Sequence, residues 1–253
     1  MNLNNKARVW AALMLREIET RAPRSLMSYL LILLQPCFQL LMMYLIFSFI
    51  NRRADFGTSL FLFLFSGVLP YFLFTHVASR LMSAVNRAQP LRPLGVVSAV
   101  DVALASLVVE LCTIILIGSL VLFVAWCVGL RDAVPYDYGE LVLSIVVLSL
   151  MAFGVGLCNS ALSTFFGAWP LIWGVIAKSL IFFSNIFYVI DFMPTPIRDV
   201  LWWNPLLHGI IWFRVGLFRD YPTLTFSPAY ILTVTLAAIL LGLALERTAR
   251  KNA

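Results

Sequence analysis

Residues 141–177 read LVLSIVVLSLMAFGVGLCNSALSTFFGAWPLIWGVIA, without one charged side chain. As a single helix this run would be roughly 55 Å long, far beyond a bilayer hydrocarbon core of about 30 Å at any ordinary tilt. Between Asn159 and Pro170 the run gathers Asn, Ser, Thr and Gly ahead of a Pro, a composition that lets a chain reverse. It is therefore expected to fold as two membrane spans, at about 140–160 and 168–190, joined by a turn.

Working outward, four more spans are expected at 26–50, 56–79, 102–130 and 228–245. Leu26–Ile50, Phe56–Ser79 and Leu111–Leu130 carry no charge, and the last span ends in the polar tail Glu246, Arg247, Thr248, Ala249, Arg250, Lys251. With 62% hydrophobic and 12% charged residues in 253, the chain lies outside the range of soluble globular domains. The fold class is all-α, a polytopic membrane protein with six transmembrane helices.

Basic residues in short loops favour the cytoplasm. Grouping the N-terminal tail (Lys6, Arg8, Arg16, Arg21, Arg24), the loop after the second span (Arg80, Arg87, Arg92) and the C-terminal tail (Arg247, Arg250, Lys251) sets eleven cations against six outside. Those six are Arg52, Arg53, Arg131, Arg198, Arg214 and Arg219, with Arg52 and Arg53 against the trend. Both termini are thus expected in the cytoplasm. The net charge of +6 comes from cations flanking apolar spans rather than from one stripe, so lipid headgroups are the expected partner and nucleic acid is not. Cys37, Cys112, Cys127 and Cys158 all lie in apolar spans without metal-ligand spacing and read as packing residues. No cleavable signal peptide is expected before Leu26, because charges recur through the first 24 residues.

Three segments do not simply span. Residues 1–25 form an amphipathic helix, with Leu3, Ala7, Trp10, Leu13, Met14 and Ile18 on one face and Asn5, Arg8, Arg16 and Glu19 on the other. It either lies along the membrane surface with Trp10 at headgroup depth or packs on a soluble partner. The loop 80–100, with Asn86, Arg87, Gln89, Pro90, Arg92 and Pro93, is either a contact surface or a plain orientation signal. On the outer side, 191–225 contains the apolar stretch Val200–Phe213, interrupted by Asn204 and Pro205; fourteen residues are too few to cross, which predicts a re-entrant or interfacial segment. Glu110 and Lys178 fall within spans, where ionised groups face a bundle interior or an aqueous path. Glu110 reads also as a structural anchor near the interface. Aromatic clusters at Phe61–Phe74, Phe165–Trp173 and Trp202–Trp212 fit interfacial belts.

Catalytic machinery is missing. His76 and His208 are the two histidines, and HExxH, GxSxG and the phosphate-cradling GxxxxGK[ST] loop are all absent. The chain is not expected to be an enzyme, and ATP-driven work would need another polypeptide's nucleotide site.

Arg16, Glu17, Thr20 and Arg21, the first span with Pro36, and Gly67, Pro70 and Phe72 resemble the inner-membrane permeases of ABC-2 type polysaccharide exporters. Gly154–Leu157, the string Leu201–His208 with Arg214, and Gly242–Leu245 before Arg247 and Thr248 look like the capsular branch, with Asn204–His208 the most specific part. The chain departs from the family where Ala22, Pro23, Arg24 and Ser25 replace a usual Gly, and where Phe213 stands in place of an acid before Arg214.

The resemblance implies a homodimer of six-span subunits in the bacterial inner membrane, exporting lipid-linked capsular polysaccharide. It implies no cofactor on this chain, since ATP and Mg would be bound by a cytoplasmic ATPase partner. A periplasmic co-polymerase or adaptor and an outer-membrane exporter would complete the system. By analogy, residues 26–253 form the transmembrane domain and 1–25 the interface helix, with Trp10, Arg16, Glu17 and Arg21. The loop 80–100 would hold the coupling helix, with Arg80, Asn86, Arg87, Gln89 and Arg92, and 191–225 would cap the outer end. For an anionic glycan the expected path residues are Lys178, Arg198, Trp203, His208, Trp212, Arg214 and Arg219. The alternatives are an ABC-2 permease for another cargo, such as O-antigen, teichoic acid or a small amphiphile, and an ion-coupled carrier working through Glu110 and Lys178.

Overall fold

The computed structural model describes residues 3–21, 26–87 and 98–251. Among them are nine α-helices: α1 (Leu3–Arg21), α2 (Leu26–Phe49), α3 (Leu60–Arg87), α4 (Ala99–Cys127), α5 (Tyr138–Phe165), α6 (Trp169–Phe183), α7 (Thr195–Leu201), α8 (Pro205–Leu217) and α9 (Pro228–Lys251). Four of these, α3, α4, α5 and α9, are long and apolar enough to cross a membrane by length and composition.

Local chemistry sets the boundaries. Ser98 starts α4 with a reciprocal cap: its hydroxyl accepts from the Asp101 N–H at 3.1 Å and the Asp101 carboxylate accepts the Ser98 N–H at 3.0 Å. Asp137 caps α5 by accepting from Gly139 and Glu140. The helix break in the long uncharged run falls at Phe166–Ala168, and Pro170 sits in the first turn of α6, where its missing N–H costs nothing.

Helix α5 occupies the centre, packed against α3, α8 and α9. Its contact with α9 is nearly backbone to backbone. A Cβ added to Gly154 would lie 2.6 Å from the Ala238 carbonyl carbon and the Ile239 nitrogen, and one added to Gly242 would lie 2.6 Å from the Gly154 oxygen. Small residues at such a crossing let two helices approach where no water-driven collapse holds them together. Outside, the pattern inverts: Phe38 and Ile46 on α2, Leu116 and Phe123 on α4, Leu171 and Val175 on α6, and Leu236 and Leu240 on α9 are exposed. A continuous apolar surface of this kind requires hydrocarbon or another protein surface around it.

The connections sort onto two ends of the bundle. At the distal end the Thr58 N–H and hydroxyl both donate to the Asp132 carboxylate, at 2.6 Å each, and Arg52 donates to the Phe187 carbonyl. Asp137 donates its N–H to the Gly216 carbonyl at 2.9 Å, and Asp191 accepts from Leu224 and Thr225. At the proximal end α1 seats Leu13 among Ala84, Val102 and Ala105. Asn86 joins Ser160 and Ser163 there, and Trp169 donates to Asn159 at 3.0 Å. Because α9 runs from the distal end, where the Ser227 N–H donates to His208, to the level of Gly154 and beyond, the C-terminal helix finishes at the end that carries α1.

One element, the α6 helix, differs from the sequence reading. The helix expected through 168–190 stops at Phe183, and the backbone from Ser184 is irregular, with Asn185 at φ 62°. Asn185 is one of the few side chains that tolerate that region. The apolar stretch Val200–Phe213 is two short helices separated at Trp202–Asn204, because Asn204 caps α8 by accepting from the Leu206 N–H at 3.1 Å and Pro205 begins it.

Candidate functional site

The irregular segment after α6 leaves backbone carbonyls with no helical donor, and α8 supplies one side chain for them. Arg214, fully buried, donates from Nε to the Ser66 hydroxyl at 3.1 Å. Its Nη1 donates to the Tyr188 carbonyl at 3.2 Å and the Tyr221 hydroxyl at 3.0 Å, and its Nη2 to the Phe63 carbonyl at 3.3 Å and the Ile186 carbonyl at 2.9 Å. A guanidinium has five N–H donors, so these bonds use all of them. The Phe63 ring lies 4.2 Å from the guanidinium carbon, adding a cation–π contact. The charge is thus held by carbonyl dipoles, hydroxyls and a ring face.

His208, one turn and a half earlier, is also fully buried. Its Nε2 lies 2.8 Å from the Trp202 carbonyl and its Nδ1 accepts the Ser227 N–H at 3.2 Å, which fixes a neutral tautomer with the proton on Nε2. Burial pushes its pKa below the usual histidine value, opposed in part by the bond to Trp202. Trp212, between them, donates to the Glu140 carboxylate at 2.6 Å. The polar atoms of Arg214, His208 and Trp212 are thus engaged in hydrogen bonds inside the subunit. The other four candidates are at least partly exposed and apart. Lys178 projects from the exposed side of α6, Trp203 is exposed, Arg198 on α7 is half-buried, and Arg219 is exposed, beside Asp220 and over the Tyr136 ring.

The proximal end holds a second polar cluster. Glu110 of α4, 2% exposed, pairs with Arg80 (Nε–Oε2 3.2 Å) and approaches His76 (Nδ1–Oε1 3.6 Å), both on α3. His76 stacks on Phe72 at 4.9 Å. One helical step away, Ser106 donates to the buried Glu17 of α1 at 3.2 Å. Arg16, Glu17 and Thr20 line a crevice against Ala84, Val102 and Ala105, and Trp10 is half-buried on the same helix, which ends at Arg21. The amphipathic face thus packs, through Leu13, on α3 and α4. Arg80 sits with Glu110 inside the bundle rather than at its tip, and Asn86 ties α3 to α5. Arg87 ends α3, while Gln89 and Arg92 lie outside the described residues.

Sequence reasoning missed Ser66, Asn185 and Tyr221 around Arg214, Glu140 beneath Trp212, and the seat of Asn204, whose Nδ2 donates to the Phe183 carbonyl and the Ser184 hydroxyl at 2.9 Å each. These partners are up to 148 residues apart, so spacing carried no signal. Among the described residues no group of three or more His, Cys, Asp or Glu side chains could hold a metal ion.

Comparison with known proteins adds an independent finding. Residues 8–218 match the family model described as ABC-2 type transporter. The chain is 29% identical over 237 residues to the polysialic acid transport protein KpsM of Escherichia coli, covering 94% of this chain and 92% of that one. It is 25% identical over 237 residues to the capsule polysaccharide export inner-membrane protein CtrC of Neisseria meningitidis serogroup A, covering 94% and 89%. To the protein of the same description, BexB, of Haemophilus influenzae it is 25% identical over 247 residues, covering 98% and 93%.

Proposed function

We infer the function from one premise: this chain belongs to the ABC-2 type transporter family. It is a multi-pass permease of the inner membrane, and hydrolysis in such systems falls to a separate subunit. We propose that it exports a lipid-linked capsular polysaccharide, as a homodimer bound to a cytoplasmic ATPase that carries ATP and Mg. The observation that carries this reading is end-to-end similarity to capsule-export and polysialic acid transport proteins, at 22–29% identity over most of the chain.

In this reading α2, α3, α4, α5, α6 and α9 cross the membrane and α7–α8 form the re-entrant outer cap. The placement of α1 and the C-terminal helix at one end supports an even number of crossings, and the basic tails support the cytoplasm for that end. Closure of the ATPase subunits would push on residues 80–100 and bias the spans between two arrangements, which drives transport only through differential stabilisation of the states. Lys178, Arg198, Trp203 and Arg219, the path candidates left at the surface, would meet the anionic glycan. A periplasmic adaptor and an outer-membrane exporter would receive it.

Purification of the tagged chain from its native membrane tests the assembly. A separate ATPase is expected to copurify, with ATP hydrolysis in the eluate; a chain that elutes alone from every mild detergent and transports without ATP would exclude the reading. The lipid-linked material that accumulates in a deletion strain would distinguish a capsular cargo from O-antigen or teichoic acid.

A further inference from the structure

The Glu110 cluster borders a cavity of about 360 Å³ among α1, α2, α3 and α4. Met14 and Ile18 of α1 form one wall, and Val109, Thr113, Leu116 and Ile117 of α4 another. The lining is mainly aliphatic, and among the described residues its titratable groups are His76, Arg80 and Glu110. Glu110 engages Arg80 through Nε, at 3.2 Å. Among the described residues the two terminal nitrogens of Arg80 have no hydrogen-bond partner, and its side chain is 33% exposed. A guanidinium held by its Nε edge presents a planar fork of donors, the geometry that matches two oxygens of a phosphate. His76, 27% exposed beside it, offers a further ring nitrogen.

We propose that this cavity binds one anionic membrane phospholipid per chain, its phosphate on the Arg80 fork and His76 and an acyl chain over Thr113 and Ile117. The volume is too small for a whole lipid, and the remaining chains continue over Leu116 and Leu120, which are exposed on α4. Depth agrees, given the orientation proposed above. Helix α4, 29 residues, is roughly 43 Å long, about 13 Å more than the hydrocarbon core, and Glu110 lies about 17 Å from its proximal end. That places the Glu110 backbone about 4–10 Å inside the inner edge of the core, a depth that the long Arg80 side chain spans toward the headgroups. An anionic lipid is favoured over a zwitterionic one because the buried carboxylate at the site is already paired with Arg80, so among the described lining residues no carboxylate is open to a choline or ethanolamine cation. The bound lipid would join α1 to the spans, since its chain touches Met14 and Ile18.

Native mass spectrometry of the full chain, titrated with phosphatidylglycerol or phosphatidylcholine, tests this. Wild type is expected to retain one phosphatidylglycerol per chain at least ten-fold more tightly than phosphatidylcholine. Two variants should each lose that preference: the double R80Q/E110Q, which removes the fork together with the carboxylate that holds it, and T113W, which fills the cavity and leaves the ion pair. Arg53→Gln, at the distal end, should retain it. Equal retention of the two lipids by wild type would overturn the proposal, as would unchanged preference in either variant or a retained glycolipid mass in place of the phospholipid. The comparison on wild type needs no variant to fold. The outcome is independent of cargo, so a failed capsule assignment would leave this result standing.

Discussion

Removing the Arg214 side chain would strand the Ile186 and Tyr188 carbonyls and the Tyr221 hydroxyl in a dry interior, each unpaired group costing roughly 1–3 kcal/mol. Arg214→Ala is therefore expected to lower membrane abundance and export together, by about 3 kcal/mol or more in stability; Arg214→Lys, with three donors for five acceptors, should fall between. Quantitative blotting beside a transport assay checks this, and normal abundance with lost export would restore the path role. His208 gives a pH signature. Its folded pKa lies below the unfolded value near 6.5, so the unfolded chain takes up the proton first and stability is lost as pH falls through that window. The thermal midpoint of wild type should drop between pH 7.5 and 5.5 more than that of His208→Gln. Arg52, which ran against the charge rule, is likewise fixed, on the Phe187 carbonyl and the Phe47 ring.

At the scale of the helix, Gly154 and Gly242 set the closest crossing. Gly154→Val would drive side-chain atoms into the Ala238–Ile239 backbone, with an expected loss of about 1–3 kcal/mol, read as a lower unfolding midpoint in detergent. Gly174→Ala on α6, where a Cβ meets nothing within 4 Å, should be neutral or slightly stabilising. Much at this scale was legible in sequence. Uncharged length marked the long helices, Asn159–Pro170 marked the break between α5 and α6, and Asn204–Pro205 kept Val200–Phe213 from being read as a crossing. The early end of α6 was not legible. It depends on Arg214 satisfying carbonyls 26 and 28 residues away, and no periodicity reports a tertiary donor. For the same reason the partners of the basic and aromatic residues of α8 were not legible: sequence shows that these side chains are costly to bury, while only the fold shows that they are buried and satisfied.

For the whole molecule, two polar clusters at opposite ends divide the work. The distal cluster ties loops 50–59, 128–137 and 184–192 to the α7–α8 pair, and the proximal one joins α1, α3 and α4, where a partner would push in the proposed assembly. Substituting Arg87 and Arg92 should weaken ATPase association while abundance holds, measured by copurification. Lys178→Ala, on an exposed helix face, should reduce export of an anionic glycan without reducing abundance, because this side chain has no hydrogen bond or ion pair among the described residues to be lost. The most direct test of capsule export is the location of lipid-linked capsular glycan after deletion of the gene. The account predicts that surface capsule disappears, that the glycan accumulates on its lipid at the cytoplasmic face, and that the intact gene restores export. Surface capsule at the wild-type level in the deletion strain would contradict it.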